Sequence, residues 1–224
     1  MVMYKLNEMF ETIQGEGSFT GIPAVFIRLQ ECPVGCAWCD TQQTWDANPS
    51  DETSLDGILS KQGDTPTWCD ISAEALVNEY QKQGYSARHI VITGGEPCIY
   101  DLLPLTKAFE SMGCQCQIET SGTSEVRVSE KTWVTVSPKV LMKAKLPILQ
   151  SAMDRADEIK HPVATEKDIK QLDELLSTTK NVDSKLIALQ PISQKPRATQ
   201  FCIETCIERN WRLSIQTHKY LNIA

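Results

Sequence analysis

The chain has 224 residues, 41% of them hydrophobic and 23% charged, with a net charge of -7. That is enough chain to bury one large core, and the composition excludes wholesale disorder, while the acidic balance argues against nonspecific nucleic-acid or anionic-membrane partners. No apolar run reaches the roughly 20 residues of a membrane helix, and Met1 to Glu8 carries neither the basic region nor the apolar stretch of a secretory signal, so a cytoplasmic protein working on small molecules is expected.

In chain order, the first strand expected is 24–29, followed by a cysteine cluster from Cys32 to Cys39. The segment from Trp45 to Asp70 breaks the pattern and reads as an insertion, either a lid or a surface excursion, within a single domain of residues 1–224. Ser72 offers a cap for a helix carrying Leu76, Val77 and Tyr80, with Gly84 as its stop. Strand 89–93 follows, then a helix marked by Leu102, Leu105, Phe109 and Met112 and ended by Gly113. Strands 115–119, 133–137 and 157–160 come next. Thr165 and Asp168 form a capping-box pattern ahead of Ile169, Leu172, Leu175 and Leu176 on one helix face. Strand 186–190, a helix over 196–210 and strand 212–216 complete the chain. Strands alternating with helices predict an α/β fold with a parallel sheet.

Six of these strands end in a polar or Gly/Pro-containing cluster: 93–97, 119–122, 137–139, 160–162, 190–193 and 216–219. Such residues mark turns anywhere, but in a β/α barrel the carboxyl ends of the strands share the face that holds the active site. Six clusters in register predict one shared pocket.

Nine cysteines in a reducing compartment do not read as a disulfide framework, and three of them lie within eight residues. Cys32, Cys36 and Cys39 have the spacing C-x3-C-x2-C, with Pro33 and Gly35 to help a short loop turn. Three thiolates on a four-iron cluster leave one iron open, which is a catalytic arrangement. Zinc normally takes four protein ligands, and Cys69 is available to complete such a site. Cys202 and Cys206 share one helix face, Cys114 and Cys116 one strand face, and Cys98 follows a turn. All five read as small buried hydrophobes.

The cysteine spacing, Trp38 before the last cysteine, and Gly94-Gly95-Glu96-Pro97 about one βα unit later resemble the radical S-adenosylmethionine superfamily. The segments from Asn7 to Gly17, Phe26 to Leu29, Cys39 to Thr41, Ile118 to Gly122, Ser137 to Lys139, Ala188 to Ser193 and Gln216 to Leu221 are similar to the 7-carboxy-7-deazaguanine synthase family. A glycyl-radical activase would share the cluster and the GGEP turn but has no need of Gln14-Gly15-Glu16 or of the Gln216 to Leu221 ending. A zinc-stabilised binding module is the rival from outside enzymology.

The resemblance implies an abbreviated, partial parallel β/α barrel that is a homodimer. It implies a [4Fe-4S] cluster on Cys32, Cys36 and Cys39, S-adenosyl-L-methionine, Mg2+, and an electron donor such as flavodoxin. The reaction implied is the ring contraction of 6-carboxy-5,6,7,8-tetrahydropterin to 7-carboxy-7-deazaguanine with release of ammonia, in queuosine and 7-deazapurine biosynthesis. Substrate contacts are implied at Ile13, Gln14, Gly15, Arg28 and Thr93, and S-adenosylmethionine contacts at Trp38, Cys39, Asp40, Gly95, Ser137, Pro138, Lys139, Gln190, Pro191, Ile192 and Ser193. Arg28 also makes independent sense, because guanidinium binds a carboxylate bidentately, although a strand residue paired with a neighbouring acid fits too. The Mg2+ ligand implied is Thr41, with Asp40 the adjacent oxygen donor and a helix cap the structural alternative. Glu119 and Glu16 are candidates for proton transfer. The closing segment is expected to return to the strand-end face, where the carboxylate of Ala224 would meet the pterin's amino group and ring N–H, or where the apolar residues simply dock.

Overall fold

The computed structural model of the protein describes residues 2–223. It opens with a strand that the sequence pattern conceals, β1 (Met3–Ile13), paired antiparallel with β2 (Pro23–Leu29). Leu6 faces Leu29 and Glu8 faces Arg28, so Asn7 is an extra residue, a β-bulge. The bulge resets the alternation. Tyr4, Leu6 and Met9 all join one apolar core although Leu6 and Met9 are three apart, which defeats a strict period-two reading.

The segment from Trp45 to Asp70, expected as an insertion, is built onto the sheet edge. It carries α1 (Leu55–Leu59), capped where Ser54 Oγ accepts from Gly57 N at 3.2 Å. It then runs into β3 (Cys69–Ser72), which pairs antiparallel with β1 at the edge of the sheet. The bulged Asn7 anchors it, its side-chain amide donating to the carbonyls of Thr65 and Thr67 at 3.1 Å each.

Beyond this point the expected alternation holds. α2 (Ala73–Gln83) starts where Ser72 Oγ accepts from Ala75 N and stops at Gly84, in the left-handed region at φ 69°. The elements that follow are β4 (His89–Gly94), α3 (Leu103–Ser111), β5 (Gln115–Thr120), β6 (Trp133–Val136), a short α4 (Gln150–Arg155) and β7 (Glu158–Val163). The chain closes with α5 (Glu166–Thr178), β8 (Leu186–Pro191), α6 (Pro196–Arg209), β9 (Arg212–Leu213) and α7 (Thr217–Leu221). The strand expected over 212–216 is only two residues long, because pairing with β8 ends at Leu213 opposite Leu189 and Gln216 turns to other partners. The sheet order is β3-β1-β2-β4-β5-β6-β7-β8-β9, parallel from β2 to β9 and antiparallel only around β1.

One face of each central strand is apolar. Ile27, Ile90, Ile92 and Ile118 pack with Leu76, Leu105 and Phe109 of the helices, and Val134, Val136, Ile159 and Leu189 pack with Ile169, Leu172 and Cys202. Cys69, Cys98, Cys114 and Cys116 belong to the first of these clusters, Cys202 and Cys206 to the second. The opposite face carries Arg28, Thr93, Gln117, Glu119, Thr135, Glu158, Lys160 and Gln190, one strand step away from the core residues. Strands covered by helices on both sides read as continuous apolar runs. Here the apolar runs, such as Ile90 to Ile92 and Leu186 to Leu189, give way to polar residues toward the carboxyl ends, where the second face lines a polar interior.

Candidate active site

That interior opens at the carboxyl ends of the parallel strands into a cavity of about 1060 Å3, and each of the six strand-end clusters contributes to its wall. All the cluster, S-adenosylmethionine, substrate, Mg2+ and proton-transfer residues expected above line it except Pro138, which is buried beside it, and Ala224, which lies outside the described residues.

The cysteine loop forms one side. Cys32, Cys36 and Cys39 all face the cavity, whereas Cys69 sits in the apolar core on β3 and is no fourth ligand. Among the described residues no three His, Cys, Asp or Glu side chains stand close enough to hold one metal ion. Three soft thiolates from one loop, with no fourth cysteine at the cavity among the described residues, are the donor set that suits a four-iron cluster with one open iron. Burial pushes the Cys32 thiol up to about 11, and burial together with Cys39 and Glu96 raises Cys36. Protons must therefore leave as metal binds. Cys39 Sγ accepts from Thr41 N and from Trp45 Nε1, both at 3.4 Å, which fixes the loop before any ligand arrives.

The Gly94-Gly95 turn is packed against that loop so closely that only glycine fits. A Cβ on either residue would lie 2.1 Å from the backbone oxygen of Leu29 or Glu31. The following Glu96 is buried and ties the turn to the end of β5, accepting from Thr120 Oγ1 at 2.5 Å and Ser121 N at 2.8 Å. Thr41 Oγ1 reaches Gly94 O at 3.5 Å, and its side chain caps no helix.

Lys160, from β7, is buried between two carboxylates, 2.6 Å from Glu16 and 2.9 Å from Glu119. The same cation acts on them unequally. Burial would raise Glu16, but Lys160 and a hydrogen bond from Gln216 outweigh it and hold the group at about 2. For Glu119 burial outweighs Lys160, and the nearby Glu16 and Glu158 add to it, leaving the carboxyl at about 7. Burial thus leaves Glu119 the readier of the two carboxyls to take up a proton, and the pairing with Lys160 keeps Glu16 anionic.

Another part of the cavity wall is built from β1, β2 and the inserted segment. Arg28 Nε donates to Glu8, its guanidinium lies 5.9 Å from the Phe10 ring centre, and Lys61 donates to Asn7 Oδ1 and Asn7 O at 2.7 Å each. The chain's last turn closes the other side. Gly15 O accepts from Thr217 N at 2.9 Å, Gln216 bridges Glu16 and Asp40, and Lys219 pairs with Asp40 at 2.9 Å. The closing segment therefore does return to the strand-end face, through His218 and Ile223 as well, while Tyr220 and Leu221 are exposed rather than docked.

Sequence reasoning passed over Glu8, Lys61, Lys160, Gln216 and His218. Lys160 and Gln216 were visible within strand-end clusters, and His218 is betrayed by Gly15, where a Cβ would meet its ring at 2.5 Å. Glu8 lies within the Asn7 to Gly17 segment but its place opposite Arg28 depends on the bulge, and Lys61 depends on the fold of the insertion.

No protein-family model matches the chain. It is similar to the 7-carboxy-7-deazaguanine synthase of Escherichia coli (strain K12), 60% identical over 223 residues that cover 100% of each chain. It is also similar to that of Buchnera aphidicola subsp. Schizaphis graminum, 47% identical over 220 residues, or 98% of this chain and 99% of the relative. The crystal structure of QueE from Escherichia coli matches with a TM-score of 0.93 at 59% identity, covering 96% of this chain and 94% of that one.

Proposed function

Because the chain belongs to the 7-carboxy-7-deazaguanine synthase family, we propose that its strand-end cavity is where 6-carboxy-5,6,7,8-tetrahydropterin is bound and rearranged. The activity is a carbon–nitrogen lyase reaction of queuosine biosynthesis, a radical S-adenosylmethionine-dependent ring contraction to 7-carboxy-7-deazaguanine with release of ammonia. The observation that carries the residue-level reading is the convergence of all six strand-end clusters on one cavity with three thiols at its wall.

Cys32, Cys36 and Cys39 hold the [4Fe-4S] cluster, and Trp38, Asp40, Gly95, Ser137, Lys139 and the Gln190 to Ser193 turn hold S-adenosylmethionine, with buried Pro138 shaping its turn. Together these cofactors supply the radical chemistry. The protein supplies position and protons. Arg28 receives the substrate carboxylate, and Ile13, Gln14, Gly15 and Thr93 place the pterin. Glu119 exchanges the proton that the rearrangement moves, while Glu16 keeps Lys160 charged beside it. Thr41 offers Mg2+ one hard oxygen, other positions being left to water and substrate.

The inward polar face and the open strand order support an abbreviated, partial β/α barrel in one domain. Exposed Leu213, Ile215, Tyr220 and Leu221 support a homodimer. A cytoplasmic location and an electron donor such as flavodoxin belong to the same reading. Among the described residues no helix is long and apolar enough to cross a membrane.

Metal analysis after anaerobic reconstitution tests the reading. About four irons per chain are expected, and tight stoichiometric zinc without iron would refute it.

A further inference from the structure

Beneath the pocket, the inward face of the sheet holds a buried polar layer that the residue roles above leave unused. Gln117 on β5 is fully buried at its centre, and its amide has every bonding capacity filled. Its Nε2 donates to Glu119 Oε1 at 2.9 Å and to Thr135 Oγ1 at 3.2 Å. Its Oε1 accepts from His89 Nε2 at 2.8 Å and Gln14 Nε2 at 3.3 Å. A side-chain amide has two donors and two acceptor sites, so nothing here is spare.

We infer that Gln117, locked in one orientation by Gln14 and His89, is a positioning residue that fixes the proton-exchanging Glu119 and the substrate-facing Gln14 together. Turning the amide over would place its oxygen against the Glu119 carboxylate and its NH2 against two donors, so a single orientation survives. Gln14 and His89 enforce it. The His89 ring is buried at the foot of β4 with the Phe19 ring centre 4.4 Å away, and burial lowers its proton affinity despite the bond to Gln117. The neutral imidazole then carries its proton on Nε2, the nitrogen that faces an acceptor. Gln14 Oε1 accepts from Glu16 N at 3.1 Å, which carries the same order into the turn against the last helix.

The inference rests on the reading of Glu119 as the proton-exchanging group. The charged groups around that carboxyl are Lys160 and Glu158 from β7, Glu16 from the turn after β1, and Lys139 from the turn after β6. Gln117 adds a neutral donor to this set, and a donor to a carboxylate favours its charged form. Removing that donor must therefore raise the proton affinity of Glu119.

The test uses the reconstituted full chain labelled with δ-13C glutamate, with the Glu119 signal assigned by its loss in Glu119→Gln. Its titration is followed together with the pH profile of kcat/KM. Gln117→Leu is expected to move both upward by about one pH unit, a tenfold change in proton affinity, and to raise the substrate KM through Gln14. His89→Leu is expected to move them the same way, and His89→Gln, which can still donate, to restore them. This pair decides the matter if Gln117→Leu does not fold. A Glu119 titration unmoved in Gln117→Leu or His89→Leu, with only a lower kcat, would overturn the inference. A wild-type pH profile in Glu119→Gln would instead overturn the Glu119 reading beneath it.

Discussion

Arg28 Nε donates to the carboxylate of Glu8, directly across the β1–β2 pairing, so the two terminal guanidinium nitrogens are the ones left for a ligand. Arg28 is a strand residue paired with an acid, and it also lines the cavity.

Arg28→Lys should raise the substrate KM by about tenfold or more while S-adenosylmethionine affinity holds, because an ammonium cannot keep Glu8 and also present two parallel donors. Isothermal titration with each ligand separately checks this. Equal weakening of both would leave Arg28 only a structural partner of Glu8.

Lys160→Met should leave Glu16 and Glu119 buried without their shared cation, at a cost of about 3–5 kcal/mol. The deficit should be larger at pH 8 than at pH 5, since protonation relieves a buried carboxylate. Urea denaturation at the two pH values measures it, and a loss under 1 kcal/mol at both would show that the carboxylates find another partner.

These two sites mark where sequence reading works and where it stops. The cysteine loop, the GGEP turn and the strand-end clusters are contiguous in the chain, so their chemistry is visible without a fold. Lys160 lies in such a cluster, yet its partners are 144 and 41 residues away: the parallel register of β5 to β7 brings Glu119 to it, and the turn after β1, folded onto β7, brings Glu16. β1 is hidden by the Asn7 bulge, and with it the antiparallel edge, the anchoring of the inserted segment, and the reason Glu8 faces Arg28. Pattern rules assume that alternation persists, and one extra residue defeats them.

His161 supplies a pH dependence of a different kind. Burial holds its imidazole down at about 4, with Nε2 2.9 Å from Asp168 O. On acidification the unfolded chain takes up this proton first, so the stability involved is present above about 6.5 and lost as pH falls toward 4. His161→Gln should flatten the fall in Tm between pH 6.5 and 4 relative to wild type. Parallel curves would mean that His161 titrates alike in the folded and the unfolded chain.

Cys32→Ala, Cys36→Ala and Cys39→Ala should each abolish cluster assembly, read as iron content and visible absorbance after reconstitution. Cys202→Ala should keep its iron, because that thiol packs in the core beside Ile169 and Leu172, and should lose only stability. Full iron in any of the first three would displace the cluster from this loop.

The central claim is that this one cavity performs the ring contraction with its own acid–base group, and product analysis meets it most directly. Reconstituted protein, reductant, Mg2+ and S-adenosylmethionine are incubated with 6-carboxy-5,6,7,8-tetrahydropterin, and the products are separated by mass. The account predicts 7-carboxy-7-deazaguanine and ammonia in equal amounts over many turnovers per S-adenosylmethionine, with the rate falling at least about a hundredfold in Glu119→Gln. Intact pterin, or S-adenosylmethionine consumed without deazaguanine, would contradict it.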